Sequence, residues 1–167
     1  MEQSLQNLLG LLKLSGRLLM VMDGLWFLAV EKELGYSNAV RLDGVVWRKY
    51  VHSLVKTVKG MFCLQQGIEG LREIIEVDPL NLNLTYEITE FSSRRMILTV
   101  TQCAALEAME RMGRKELVCG TTTGLYFRNL AREVDPRIVV EALKLPPRDG
   151  EKECCKWRFR IPDHADE

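Results

Sequence analysis

The stretch LNLTYEITEFSSRRMILTVT, residues 82–101, is where the chain changes from a helical to a strand pattern. Apolar side chains at 82, 84, 86 and 88 alternate with polar ones, which is the period of a strand that buries one face. After the turn-like segment at 92–95, the segment MILTVT repeats the alternation. We therefore predict an antiparallel hairpin here.

Upstream of this hairpin, residues 1–77 have a helical pattern throughout. One stripe at helical spacing contains the leucines at 5, 8, 9, 11, 12 and 14. We predict a break after Ser15 and a second helix with Gly35 as its left-handed stop residue. A third helix capped by Ser37 or Asn38 follows, and a shorter fourth helix precedes the breaker sequence VDPL.

Downstream, the pattern predicts two helices, at about 104–112 and 121–133, and then a second pair of strands at 138–145 and 155–161. In the last strand, the side chains predicted to share the buried face are Cys155, Trp157, Phe159 and Ile161. The adjacent Cys154 is expected to point outward or to lie in the preceding loop.

Helices and strands are thus segregated along the chain, which predicts the α+β class. We expect one domain, residues 1–167. Its helical half, 1–77, packs on an antiparallel sheet of about four strands. The sheet part, 80–161, consists of two hairpins with a helical pair inserted between them, and 162–167 is expected to be a flexible tail.

The composition excludes several classes of partner. The 167 residues carry 23 basic and 23 acidic side chains, so no basic footprint indicates nucleic acid or an anionic membrane. The apolar run at 18–30 is shorter than the roughly 20 residues that cross a bilayer. Five cysteines without a secretory leader favour a reducing compartment. We therefore expect a cytoplasmic protein that binds neither nucleic acid nor membrane.

Two sets of motifs carry a resemblance to a known family. They are DGLWFLAVEKELG (23–35) with LDGVVW (42–47), and VDPRI (134–138) with PP (146–147) and CKWRF (155–159). These resemble small cytosolic proteins of unknown function from anaerobic bacteria and archaea, some of them similar to 2-amino-thiazoline-4-carboxylate hydrolase. The family is also distantly similar to vinyl-reductase-type ligand-binding domains. The resemblance implies an α+β fold, a small-molecule ligand and a homodimer.

The resemblance also implies a cysteine metal site. Family members carry a C-x-x-C before the Pro-Pro pair and further cysteines at positions matching Cys103, Cys119 and Cys155. Thiolates in this arrangement suit zinc or iron. Here Ala142 and Leu145 stand at the C-x-x-C positions, so the resemblance implies at most a degenerate site, with Cys154 as a possible fourth ligand.

Three interpretations of these thiols remain open from the residues alone. Buried cysteines behave as small apolar side chains, a residual metal site needs the sulfurs to converge, and a reactive thiol needs a lowered pKa. Cys103 and Cys119 each precede a predicted helix, where the helix dipole lowers a thiol pKa. A cysteine nucleophile also needs a base, for which His52 and, in the tail, His164 are the candidates.

A carboxylate inside an apolar helix predicts a second candidate site. Burying Asp23 costs free energy unless it is paired or hydrogen-bonded. One interpretation is an acid at the floor of a ligand pocket lined by Trp26, Phe27 and Trp47. The other is a buried ion pair with an arginine, Arg17 or Arg41 being the candidates.

The sequence therefore leaves three functions open. The first is a cytosolic small-ligand-binding protein that does not catalyse turnover. The second is a thiol- or metal-assisted hydrolase of a small cyclic C–N compound, a non-peptide C–N bond. The third is a homodimeric interaction module, because the leucine-rich first segment is more apolar than a terminal helix needs to be. Packing of that segment within the chain is its alternative.

Overall fold

The structure is a computed structural model and describes residues 2–114 and 118–162. The described chain is α+β, as predicted. Its helices are α1 (Glu2–Leu34), α2 (Tyr36–Met61), α3 (Gly67–Val77), α4 (Ala104–Arg111) and α5 (Thr122–Val134). Its strands are β1 (Leu84–Ser92), β2 (Arg95–Cys103), β3 (Val139–Lys144) and β4 (Cys155–Arg160). The predicted tail falls mostly outside the described residues, and His164 lies there.

Helix α1 runs without interruption, so the predicted break after Ser15 is wrong. The hydroxyl of Ser15 donates to the carbonyl of Leu11 at 2.9 Å. A serine satisfied in this way stays inside a helix, because its side chain no longer competes for backbone groups elsewhere. The prediction for Gly35 is confirmed, since its φ of 83° ends α1.

The predicted side-chain cap of α2 is also wrong. The helix begins at Tyr36, directly after Gly35, and no side chain caps it. Asn38 instead donates its amide to the carbonyl of Leu34 at 2.9 Å. Only Gly35 separates the two helices, so the carbonyl of Leu34 at the end of α1 lies within reach of Asn38. The side chain of Asn38 bonds this carbonyl instead of capping a backbone N–H of α2.

Both predicted hairpins form, and they join into one antiparallel sheet of order β1-β2-β4-β3. The central pair places Val100 opposite Cys155 and Leu98 opposite Trp157. Strands β1 and β3 are the edges. In β4 the predicted alternation is confirmed, because Cys155, Trp157 and Phe159 are buried.

The core lies between one face of this sheet and the helices. The ring of Phe127 on α5 packs 5.2 Å from the ring of Trp157 and 5.3 Å from that of Phe159. Gly124 permits the approach, since a Cβ there would lie 3.3 Å from the Trp157 ring. Helix α5 is therefore the element that fixes the helical layer to β4.

Helix α1 is held against the rest of the chain near its middle. Gly16 is buried, and a Cβ at this position would lie 1.9 Å from the carbonyl oxygen of Pro79. The amide of Asn83 donates to the carbonyl of Lys13 at 3.0 Å. Because only glycine permits this approach, the buried face of α1 is defined by Gly16.

Candidate functional site

Four of the cysteines lie at one end of the sheet. Cys103 ends β2, Cys119 lies in the 3₁₀ turn Val118–Gly120, Cys154 directly precedes β4, and Cys155 begins it. Cys119 interacts electrostatically with the other three thiols. The fold therefore brings these sulfurs into one neighbourhood, whereas Cys63 is exposed in the loop between α2 and α3.

Cys154 lies in the loop directly before β4, one of its two predicted positions, but its side chain does not point outward. Cys154 is 1% exposed, and its backbone N–H donates to the carbonyl of Val100 at 2.7 Å. This bond extends the pairing of β2 with β4 by one residue before the strand itself begins. Both adjacent cysteines are therefore inside the protein, which an alternation of faces alone does not predict.

Burial keeps these thiols protonated. It raises the pKa of Cys119 to about 12 and that of Cys155 to about 11, with neighbouring thiols adding to the effect on both. At Cys103, burial outweighs hydrogen bonds from the backbone of α4, and the pKa is raised. The expectation that helix termini would lower the pKa of Cys103 and Cys119 is therefore wrong, because desolvation is the larger effect.

A thiol-reactive reagent is expected to separate Cys63 from the other four cysteines. In the native protein at pH 7.5, Cys63 should react at least ~100-fold faster, because the reactive species is the exposed thiolate. Intact-mass spectrometry over time should show one rapid modification per chain. The variant Cys63→Ser should lose this rapid phase. A rapid phase that survives in Cys63→Ser would show that a clustered thiol is activated.

The cysteine set does not fit the zinc or iron site that the resemblance implies. Within 2–114 and 118–162, no three or more His, Cys, Asp or Glu side chains are placed so that they could hold a metal ion. Structural zinc needs four such ligands, and catalytic zinc three. Leu145, at a C-x-x-C position, packs as an apolar side chain beside Gly120 and the core. The described arrangement is that of packed thiols.

His52 is not placed to activate a cysteine. Its Nδ1 lies 3.2 Å from a carboxylate oxygen of Glu133 on the protein surface. The side chains lining a groove of about 440 Å³ around it are Arg48, Lys49, His52, Ser53 and Glu133, with no thiol among them. His52 is therefore a surface partner of α5 in the described part of the chain.

The residues predicted to form a ligand pocket, Asp23, Trp26, Phe27 and Trp47, lie in different surroundings. Trp26 is 61% exposed on the outer side of α1. Phe27 packs edge-on against Tyr36 at 6.4 Å and lies beneath the guanidinium of Arg114 at 5.7 Å. Trp47 packs against other aromatic rings at the α2–α5 interface.

Asp23 has a partner that the sequence analysis missed. Its carboxyl group is hydrogen-bonded to that of Asp43 on α2, and the Trp47 indole also hydrogen-bonds Asp43. Burial, then the charge of Asp23, raises the pKa of Asp43 to about 7. Near neutral pH the two carboxyl groups therefore hold one proton between them, since two adjacent charges would repel.

The expected arginine partners Arg17 and Arg41 are thus replaced by a second carboxyl group. A signal for Asp43 was present in the sequence, because DGLWF and LDGVVW both place Asp-Gly before an apolar and aromatic run. Each helix contributes the aspartate of its Asp-Gly pair to the α1–α2 contact. The repeat marks Asp23 and Asp43 as similar positions on two helices. Only the crossing of the helices shows that the two side chains meet.

A second buried carboxylate, Asp78, is fully satisfied. The hydroxyl of Tyr50 donates to its Oδ1 at 2.7 Å, and that of Tyr126 donates to its Oδ2 at 2.6 Å. The backbone N–H of Leu80 also donates to Oδ1 at 3.0 Å. Asp78 is 0% exposed, so these three donors replace its water. We infer that the hydrogen bonds of Asp78 link α2 and α5 to the segment that leads into the sheet.

The outer face of α1 carries an apolar seam. Its members are Leu11, Leu14, Leu18, Val21 and Leu25, which follow one another at spacings of three and four residues. All five are about half exposed or more. This is the a/d spacing with which two helices interdigitate in a coiled coil. The seam lies on the side of α1 opposite Gly16, so it faces away from the rest of the chain.

Comparison with known proteins identifies the sequence only by family. A model described as "Family of unknown function (DUF6125)" matches residues 2–161. The sequence matches no curated protein. The resemblance to 2-amino-thiazoline-4-carboxylate hydrolase and to vinyl-reductase-type domains stays a prediction. Among the described helices, including α1 with its 33 residues, none combines the length and hydropathy of a membrane-crossing segment.

Proposed function

We propose that this chain, which belongs to the DUF6125 family of unknown function, is an interaction module that forms a homodimer through the outer face of α1. The observation that carries the proposal is the seam from Leu11 to Leu25. A face of this kind costs free energy in water and is stabilised when a second apolar face covers it.

The exposed apolar area of α1, of which the seam is one part, is larger than the apolar patch of a typical monomer. Twelve large apolar side chains between residues 5 and 26 are 41–68% exposed. Together they offer on the order of 1,000 Å² of apolar surface, more than the roughly 300–600 Å² patch of a typical monomer. Each partner in a standard protein interface contributes about 800 Å².

The spacing of the seam favours a second copy of the same helix. In an antiparallel pair centred on Leu18, Leu11 of one copy faces Leu25 of the other, and Leu14 faces Met22. Every seam position except Val21, which faces Ser15 next to Leu14, then lies opposite an apolar residue. Two chains related by a two-fold axis cover each other's seam and leave no seam exposed. Most soluble homo-oligomers have closed symmetry of this kind.

Charge on the seam should separate the dimer. Sedimentation equilibrium of the full chain should give about twice the 19.2 kDa chain mass at micromolar concentration. The variant Leu14→Glu with Leu18→Glu should be monomeric, with dimer affinity at least ~100-fold weaker, since it would bury two unpaired charges per copy. The control Gln6→Glu adds a charge to the same helix off the seam and should stay dimeric.

Three results would contradict the proposal. The wild-type chain could be monomeric at all concentrations, or the double variant could remain dimeric. Alternatively, a monomeric chain could bind lipid vesicles through the same leucines, which would make α1 a membrane-surface helix. A circular dichroism spectrum of the double variant shows whether α1 remains folded, so loss of the dimer is distinguishable from loss of the helix.

Small-ligand binding is a second proposal, and the carboxyl pair supports it. Asp23 and Asp43 meet beside Trp47, where burying two carboxyl groups costs free energy. Buried titratable groups of this kind are concentrated at functional sites. This pair lies on the face of α1 that packs against α2, so a ligand pocket here would be formed within one chain. The hydrolase alternative has less support, because its candidate thiols are protonated and no thiol lines the groove around His52.

A further inference from the structure

Strand β3 leaves one side of the sheet open. It is an edge strand in the order β1-β2-β4-β3, and within the described residues no backbone hydrogen bond from another segment reaches its outer side. Its pairing with β4 is regular from Val139 to Ala142 and shifts before Lys144. The regular part is therefore the place where a further strand could pair.

A basic groove runs along this edge. It has a volume of about 510 Å³ and is lined by Arg128, Arg132, Pro136, Ile138, Val139 and Val140. Within the described part of the chain, neither Arg128 nor Arg132 has an ion-pair partner. The charges of β3 itself are already paired, Glu141 with Arg158 and Lys144 with Glu151. The groove therefore presents two uncompensated positive charges.

We propose that the edge of β3 and this groove bind an extended acidic segment of a partner protein, which adds to the sheet as a fifth strand. Strand addition supplies main-chain hydrogen bonds, and side chains at alternate positions supply specificity. This surface is separate from the α1 seam, and the inference does not depend on the proposed dimer.

The spacing of the arginines matches a strand with acidic residues at every second position. Arg128 and Arg132 are one helical turn apart, a rise of about 6 Å at 1.5 Å per residue. Residues i and i+2 of a strand are about 6.6 Å apart and share a face. Two carboxylates separated by one residue can therefore each meet one guanidinium, a charge-assisted contact of the stronger kind.

The arginines lie on the correct face of the sheet for this arrangement. Val140 pairs with Phe159, and Ala142 pairs with Trp157. Directly opposed residues share a face, and both aromatic rings pack against Phe127 of α5. The acidic residues of an added strand would thus lie on the face covered by α5, beside Arg128 and Arg132.

The test uses a labelled hexapeptide that alternates glutamate with valine and ends in threonine on both sides. We expect fluorescence anisotropy to give a Kd on the order of 100 μM. Replacing its glutamates with glutamine should weaken binding at least tenfold. In the protein, Arg128→Gln with Arg132→Gln should do the same, whereas Lys56→Gln on α2 should leave the affinity unchanged.

Backbone amide spectra decide whether the peptide adds as a strand. Amide shifts should change from Val139 to Ala142, and a peptide with the same glutamates but a central proline should bind at least tenfold more weakly. Equal binding of the proline peptide, or of the arginine variant, would overturn the proposal. Concentration-dependent shifts at these amides without peptide would assign the edge to a second copy, and would overturn it too.

Discussion

Replacing Asp78 with alanine is expected to lower the free energy of unfolding by about 4 kcal/mol or more. The change leaves the hydroxyls of Tyr50 and Tyr126 and the N–H of Leu80 without their acceptor. Each buried donor that loses its partner costs about 1–3 kcal/mol, and contacts to a charged group are at the upper end. Because Asp78 is fully buried, water cannot readily replace the lost acceptor. Urea unfolding at fixed chain concentration measures the effect.

Two comparisons separate this network from a general effect of losing a carboxylate. Glu87→Ala removes an exposed carboxylate from β1 and should change the free energy of unfolding by less than about 0.5 kcal/mol. Tyr50→Phe and Tyr126→Phe each remove one donor and should cost less than Asp78→Ala. If Asp78→Ala is as stable as Glu87→Ala, the network does not hold α2 to α5 as inferred.

The fold class could be predicted because the period of the apolar residues changes near residue 82 and each strand has its own buried face. The ends of the helices could not be predicted exactly. Ser15 and Asn38 looked like a break and a cap, yet each donates to a carbonyl one turn back along the chain. A short polar side chain has both options, and the sequence does not show which carbonyl is free.

The candidate site was predicted only in outline. The resemblance implied a common site for Cys103, Cys119 and Cys155, and alternation correctly placed Cys155 inside. Cys154 lies in the preceding loop, as one of its two predictions had it, but it is buried because the hydrogen bonding with β2 extends one residue beyond the strand. The cost of burying Asp23 was evident, but its partner lies on another helix, and only the crossing of α1 and α2 brings Asp43 to it.

Replacing Asp43 with asparagine is expected to stabilise the protein at pH 8.5 by roughly 2–4 kcal/mol, at 1.36 kcal/mol per pKa unit. The pKa of Asp43 is about 7 in the folded protein, against the usual 3.8 of an aspartate side chain. The folded state therefore keeps a proton that the unfolded chain has released. Stability falls as the pH rises from about 4 to 7, and above that range Asp43 must be ionised beside Asp23. Asparagine keeps the hydrogen-bonding shape without this cost.

The pH dependence distinguishes this explanation from better packing. At pH 4, where Asp43 is protonated in the folded state and still partly protonated in the unfolded chain, Asp43→Asn and the wild type should differ by less than about 1 kcal/mol, so the gain should develop between pH 4 and 7. Urea unfolding of both proteins at these pH values measures it. Asp23→Asn is the matched variant: it removes the neighbouring charge and should also stabilise at pH 8.5, because the pKa of Asp43 then falls. A gain of equal size at pH 4 and pH 8.5, or a loss at both, would show that the pair does not share a proton, and that its burial is balanced by a group other than Trp47.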